Sequence, residues 1–109
     1  MSRAKGDIAE SKACEYLFSH GYSVVDRNFY SKFGEIDIIA FKDKVLHFIE
    51  VKSGGDYELA VQNITPQKMR KLLHTGDVYI KKNALECAYM YDAVIVTPSS
   101  IDLIENITF

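Results

Sequence analysis

The chain has 109 residues, of which 48% are hydrophobic and 26% are charged, a composition typical of one globular domain spanning residues 1–109. Its formal net charge of −2 argues against a strongly basic nucleic-acid-binding protein. No apolar run approaches the roughly 20 residues that cross a bilayer, and residues 1–7 do not resemble a signal peptide, so we expect a cytoplasmic protein with no membrane contact. In that compartment Cys14 and Cys87 are expected to be buried free thiols.

The first predicted element is a helix over residues 5–20, followed by Gly21 in the left-handed region. Ala9, Ala13 and Leu17 recur at helical spacing and form its inner stripe. Glu10 lies about 20° from Leu17 around the helix axis, so its carboxylate projects onto that stripe and needs a partner. The alternative is that Glu10 lies at the margin of the stripe, in solvent.

A strand over residues 22–30 comes next, in which Val24, Val25, Asn28 and Phe29 form an irregular alternation. Residues 34–52 then predict two further strands joined by a tight turn at 42–44. In the first strand of this pair, Glu35 and Asp37 share a face with Ile39 and Phe41. The turn predicts that Asp37 lies opposite Glu50 and that Glu35 lies opposite Lys52. Because opposed carboxylates repel and are costly to bury, this arrangement calls for a cation with Lys52 beside it.

The C-terminal half begins with a polar loop that extends to about residue 63. Thr65 as N-cap and Pro66 at the first helical position predict a helix to about residue 82, weakened at Gly76. The residues expected on its inner face are Met69, Leu72, Leu73, Val78, Tyr79 and Ile80. A central strand over residues 88–97 and an edge strand over residues 101–108 complete the order αβββαββ, which predicts an α/β sandwich around a mixed sheet.

An aspartate on one strand and Glu-x-Lys on the next resembles the PD-(D/E)xK nuclease motif, with Ile36 in place of the proline. A closer match is provided by Gly21-Tyr22, Arg27-Asn28, the run from Gly34 to Ala40 and the run from Phe48 to Lys52. These pieces resemble the YraN-like uncharacterised bacterial proteins over essentially the whole chain. The resemblance implies a restriction-endonuclease-like fold of the Holliday-junction-resolvase type and the possibility of a homodimer.

In the nuclease interpretation, Asp37 and Glu50 bind Mg²⁺ or Mn²⁺, and Lys52 orients or deprotonates the attacking water. The resemblance implies that the Val51 carbonyl is a further metal ligand and that Glu10 contributes to the acidic site. Glu35 binds a second metal or a metal-bound water, or else is only the ion-pair partner of Lys52.

Phosphate contacts are expected from the start of the second helix and from the entrance to the hairpin. The candidate residues for binding DNA are Lys68, Arg70, Lys71, Arg27 and Lys32. The simpler interpretation of each is a solvated surface charge. Two positions depart from the resembled pattern, because Gly54 and Tyr30 stand where basic residues are typical.

Three alternatives to a nuclease stay open at this stage. The acidic residues and Lys52 can form a salt-bridge cluster at the end of a sheet. The chain can be a non-catalytic nucleic-acid-binding or protein-interaction module on a nuclease scaffold, which the acidic balance and the two missing cations favour. It can also be a regulatory protein with no role in nucleic-acid chemistry.

Overall fold

The computed structural model describes residues 3–108. Within these residues the chain forms helices and the strands of one sheet. The elements are α1 (Arg3–Ser19), β1 (Ser23–Ser31), β2 (Gly34–Lys42), β3 (Val45–Ser53), α2 (Tyr57–Val61), α3 (Pro66–Lys82), β4 (Ala88–Val96) and β5 (Ile101–Ile104). Apart from the short α2, this is the predicted order αβββαββ, and the prediction of an α/β fold with a mixed sheet flanked by helices is confirmed. No helix within the described part of the chain is long and apolar enough to span a membrane.

The five strands lie in the sheet in the order β1-β2-β3-β4-β5. Only β3 and β4 run parallel, and every other neighbouring pair is antiparallel. The crossover from β3 to β4 carries α2 and α3, as a parallel connection requires. The carboxyl ends of β3 and β4 therefore lie at the same edge of the sheet.

The turn between β2 and β3 fixes the register of the central hairpin. Asp43 has φ 50° and Lys44 has φ 67°, which is the pair of left-handed residues required by a two-residue type I′ turn. Lys42 therefore pairs with Val45, and the register continues inward as far as Ile38 opposite Ile49. The predicted tight turn is confirmed.

The two faces of the sheet are covered by different helices. On one face, the α1 residues Ala9, Ala13 and Leu17 pack against Ile38 and Ile49. On the other, a second cluster forms from Leu72 and Tyr79 of α3 with Ile36, Ile39, Leu46, Phe48 and Tyr91 of the sheet. Burial of these side chains is the main force holding each helix to its face.

Gly76 lets α3 approach the sheet closely. A Cβ at this position would lie 2.1 Å from the Tyr91 hydroxyl oxygen, so any side chain would push the helix away from β4. The helix runs from Pro66 to Lys82, so the weakening expected at Gly76 does not interrupt it. The predicted cap is confirmed, since the Thr65 side chain accepts a hydrogen bond from the Lys68 N–H.

Several local predictions are wrong for identifiable reasons. Residues 57–61 form a helical turn rather than loop, because Asp56 caps the Leu59 N–H and Ala60 is buried against the sheet. The last strand ends at Ile104. Leu73, which was expected on the inner face of the second helix, is 37% exposed.

Candidate metal-binding site

The side-chain alternation of β2 is interrupted at Asp37. Ile36 and Ile39 both contact the α3 side of the sheet, whereas Ile38, between them, lies on the α1 side. Asp37 lies at this interruption, between Ile38 opposite Arg27 and Ile36 opposite Phe29, and its carboxylate Oδ2 accepts a hydrogen bond from the backbone N–H of Val51 at 2.8 Å. Such irregularities are frequent beside active sites because they change where a side chain points. Asp37 therefore points along the sheet, toward β3.

The carboxyl groups of Asp37 and Glu50 are in hydrogen-bond contact. Asp37 is 8% exposed, and its burial, followed by the negative charge of Glu50 and their hydrogen bond, raises the pKa of Asp37 from 3.8 to about 9. The bond from Val51 opposes this rise, and the charge of Glu10 adds to it. Two carboxyl groups this close need a shared proton or a cation between them.

Lys52 supplies a positive charge beside this pair. Its Nζ lies 3.5 Å from Glu50 Oε1, and the two side chains are 22% and 23% exposed. The predicted ion pair between Glu35 and Lys52 is therefore replaced by one between Glu50 and Lys52. The shared face expected for Glu35, Asp37 and Ile39 is also wrong, because the interruption at Asp37 moves Glu35 to the α1 side.

On the α1 side, Glu10 and Glu35 meet through Asn28. The Asn28 amide nitrogen donates to Glu10 Oε1 at 3.1 Å and to Glu35 Oε2 at 3.2 Å. This orientation of the amide is assigned because the opposite one would place its oxygen against two acceptors. Arg27 Nη2 lies 3.5 Å from Glu10 Oε1. Glu10 is thus directed at the sheet, with a side chain 13% exposed.

These residues offer oxygen ligands of the kind Mg²⁺ and Mn²⁺ accept. The N–H and C=O of one strand residue point to the same side, so the Val51 carbonyl points toward β2, as its N–H does. Asp37, Glu50 and this carbonyl would hold the ion, and the remaining positions would be left to water or substrate. Within residues 3–108, no group of three or more His, Cys, Asp or Glu side chains is placed to hold a metal ion. The donor set fits an open site better than a closed structural one.

Comparison with known proteins places the chain in a family. Residues 9–96 match the uncharacterised protein family UPF0102. The chain belongs to this family. It is 66% identical over 108 residues to a UPF0102 protein of Sulfurimonas denitrificans, covering 99% of both chains. It is 52% identical over 109 residues to one of Aliarcobacter butzleri, again covering 99% of both. A UPF0102 protein of Helicobacter pylori is 50% identical over 107 residues, which is 98% of this chain and 93% of the relative.

The cations predicted to contact DNA are spread around this UPF0102 site. Lys68 lines a small cavity together with Glu50 and Lys52, so it lies beside the acidic pair. Arg70 lines a separate apolar groove between α3 and β5. Lys71 packs near Gly34 at the β1–β2 turn. At the same turn, Lys32 Nζ lies 5.3 Å from the centre of the Phe33 ring.

Sequence reasoning missed the part that Asn28 plays in this UPF0102 protein. Asn28 has φ 54°, a conformation that asparagine adopts more readily than most residues. Two signals pointed there: the polar run Asp26-Arg27-Asn28 interrupts the apolar and aromatic residues of the strand, and Asn28 follows directly on Arg27. Neither signal states which carboxylates the amide reaches, since that depends on how α1 crosses the sheet.

Proposed function

We propose that this protein is a Mg²⁺- or Mn²⁺-dependent nuclease that hydrolyses phosphodiester bonds in DNA. The observation that supports the proposal is the contact between the Asp37 and Glu50 carboxyl groups, with the Lys52 ammonium 3.5 Å from Glu50. A salt-bridge cluster built only for stability would pair each buried carboxylate with a cation or with several donors. Here Asp37 faces another carboxyl group instead, which favours a binding site.

In the proposed reaction, Asp37, Glu50 and the Val51 carbonyl hold the metal ion. A bound divalent ion polarises the phosphate and lowers the pKa of its water. Lys52 orients the attacking water, and its ammonium group offsets the negative charge that develops on the phosphate oxygens. The water oxygen would bond to phosphorus, the bond from phosphorus to the ester oxygen would break, and the proton lost by the water would end on the leaving ester oxygen. Glu10 and Glu35 lie on the α1 side of the same site.

Branched or structured DNA is the proposed substrate, and the cytoplasm the proposed compartment. A neighbouring phosphate would contact Lys68, which lines the same cavity as Glu50 and Lys52, while Lys71, Arg27 and Lys32 extend the positive surface. A four-way junction has two-fold symmetry, so we propose a homodimer as the acting form on such a substrate.

The direct test incubates purified protein and Mn²⁺ with four-way-junction, nicked and single-stranded DNA. We expect cleavage that Asp37→Ala, Glu50→Ala and Lys52→Ala each reduce at least 100-fold, the scale on which such groups contribute. Asp77→Ala, on the exposed surface of α3, is the matched control and should retain wild-type activity. Cleavage that persists in Asp37→Ala and Glu50→Ala would contradict the proposed site.

A non-catalytic binding module is the second candidate function. It is favoured by the net charge of −2 and by Gly54 and Tyr30 at positions where a nuclease of this type would carry cations. This candidate predicts DNA or protein binding that is unchanged by Asp37→Ala and by addition of Mn²⁺. Isothermal titration calorimetry with Mn²⁺ separates the two candidates, because only the nuclease needs a metal that binds at Asp37 and Glu50.

A further inference from the structure

Asn28 combines an unusual backbone conformation with an unusual side-chain environment. Its φ of 54° lies in the left-handed region, where a residue other than glycine is uncommon and is often retained for function. It is not among the paired residues of β1 and β2, although its neighbours pair in one register, Arg27 opposite Ile38 and Phe29 opposite Ile36; the register shift of this strand pair lies between Val24 and Asp26. β1 is therefore kinked at the point that lies beside Asp37.

The kink determines where two consecutive side chains point. In a regular strand, Arg27 and Asn28 would project to opposite faces of the sheet. Here both reach Glu10 of α1, at 3.5 Å for Arg27 Nη2 and 3.1 Å for the Asn28 amide. Phe29 then packs against Tyr79 on the α3 side, with ring centres 4.9 Å apart. The left-handed residue thus directs the amide into the space between α1 and β2.

The amide joins two carboxylates that would otherwise repel each other. Asn28 donates one N–H to Glu10 Oε1 and the other to Glu35 Oε2, and an amide nitrogen has two protons to give. Each of these two hydrogen bonds uses one oxygen of its carboxylate. The second oxygen of each carboxylate is then available to accept a hydrogen bond from a water molecule at the site.

We propose that Asn28 is a positioning residue that holds Glu10 and Glu35 as acceptors for the water molecules around a divalent ion on Asp37 and Glu50. This inference rests on the proposed function. Mg²⁺ and Mn²⁺ bind with several of their waters retained, and residues that orient those waters alter the affinity for the ion. The neighbours of Asn28, Arg27 and Phe29, pair with Ile38 and Ile36, so Asn28 lies across from Asp37 on the adjacent strand and holds both carboxylates beside it.

The chain offers a well-matched control for this proposal. Asn106 has φ 55°, almost the same as Asn28, but its backbone N–H donates to Asp92 in another part of the protein. Replacing each asparagine with glycine preserves the left-handed backbone at no steric cost and removes only the side chain. Asn28→Gly and Asn106→Gly therefore differ in which amide is lost and not in the kind of backbone change.

The first measurement is Mn²⁺ affinity by calorimetry, with circular dichroism as a check on folding. We expect Asn28→Gly to raise the Kd for Mn²⁺ about 10-fold or more and Asn106→Gly to leave it unchanged. Glu35→Gln should raise the Kd in the same direction as Asn28→Gly. An Asn28→Gly protein that folds and binds Mn²⁺ as tightly as the wild type would overturn the proposal.

The second measurement needs no metal and separates the failure of this proposal from that of the proposed function. The two amide protons of Asn28 are identified in a nitrogen–proton correlation spectrum as the side-chain pair that is missing from Asn28→Gly. Glu35→Gln and Glu10→Gln should each shift a different proton of that pair. If neither substitution shifts them, the amide does not hold these carboxylates and the inference is overturned. If both substitutions shift the protons but the wild type binds no Mn²⁺, the proposed metal site is contradicted, and with it the role of Asn28 in metal binding.

Discussion

Two buried aspartates on the same sheet have opposite surroundings. Asp92 on β4 is fully buried, and its Oδ2 lies 2.6 Å from His47 Nδ1 while its Oδ1 accepts the Asn106 N–H at 2.9 Å. Asp37 on β2 accepts one backbone N–H and meets the carboxyl group of Glu50. Both side chains are shielded from water, but only Asp37 faces another carboxyl group.

The difference separates a carboxylate whose oxygens are both hydrogen-bonded to donors from a carboxyl group that faces another carboxyl group. His47 and Asn106 satisfy both oxygens of Asp92 and connect β3 and the C-terminal segment to the centre of the sheet. Asp37 is buried beside Glu50, and this burial and the negative charge of Glu50 raise its pKa. Conflicts of this kind persist at functional sites because a ligand relieves them.

The largest expected effect is the loss of stability on replacing Asp92. Asp92→Ala should destabilise the protein by about 3–5 kcal/mol, because it leaves His47 buried without its partner and removes the acceptor of the Asn106 N–H. Urea unfolding followed by circular dichroism measures the change, with the exposed Asp77→Ala as control. A loss of unfolding free energy below about 1 kcal/mol, within the scatter of ordinary substitutions, would show that Asp92 does not stabilise the fold as described.

Asp37→Asn should stabilise the protein, in contrast to Asp92→Ala. Its amide can donate to Glu50 and its carbonyl can accept from the Val51 N–H, so the neutral side chain keeps the contacts without the charge conflict. We expect a gain in the free energy of unfolding on the order of 1–3 kcal/mol at pH 7.5, together with loss of stabilisation by Mn²⁺. Thermal unfolding with and without Mn²⁺ measures both. Destabilisation by Asp37→Asn would mean that the charged form of Asp37 is already well paired.

The pH dependence of the same variant sharpens the comparison. The pKa of Asp37 rises from 3.8 to about 9 on folding, so between these values the folded state keeps a proton that the unfolded state releases. The contribution of Asp37 to stability is therefore full below pH 3.8 and is lost as the pH rises toward 9. We expect the stability advantage of Asp37→Asn over the wild type to grow steadily from pH 5 to pH 8.5 in urea unfolding. An advantage that stays constant over this range would contradict the raised pKa.

The smallest expected effect concerns Lys68, which lies at the rim of the site. Lys68→Ala should leave stability unchanged, because the cap at Thr65 uses the backbone N–H of Lys68 and not its side chain. It should weaken binding of junction DNA about fivefold and reduce the slope of log affinity against log salt by about 1. Fluorescence anisotropy over a salt series measures this, and Lys81→Ala at the far end of α3 is the control. Equal losses of DNA affinity for both substitutions would show that Lys68 has no specific role at the site.

Much of this arrangement could be predicted from local patterns. The turn at residues 42–44, the cap at Thr65 and the apolar stripe of α1 each depend on a few neighbouring residues, and each is present. The placement of Asp37 beside Glu50 follows from the register that the turn sets. Glu35 could not be placed by the same reasoning, because strict alternation along β2 fails at Asp37. The short α2 and the close approach at Gly76 also depend on packing against β4, which no local pattern describes.

The sequence by itself determined the order of the elements, the mixed sheet and the pairing of an aspartate with Glu-x-Lys on neighbouring strands, because period, capping and turn chemistry are local properties. Only the tertiary structure decided that Asn28 joins Glu10 to Glu35, that Lys52 pairs with Glu50 and that His47 forms a hydrogen bond with Asp92. Each of those contacts joins residues from different elements, and its geometry depends on how the helices cross the sheet and on where the strands depart from regular alternation.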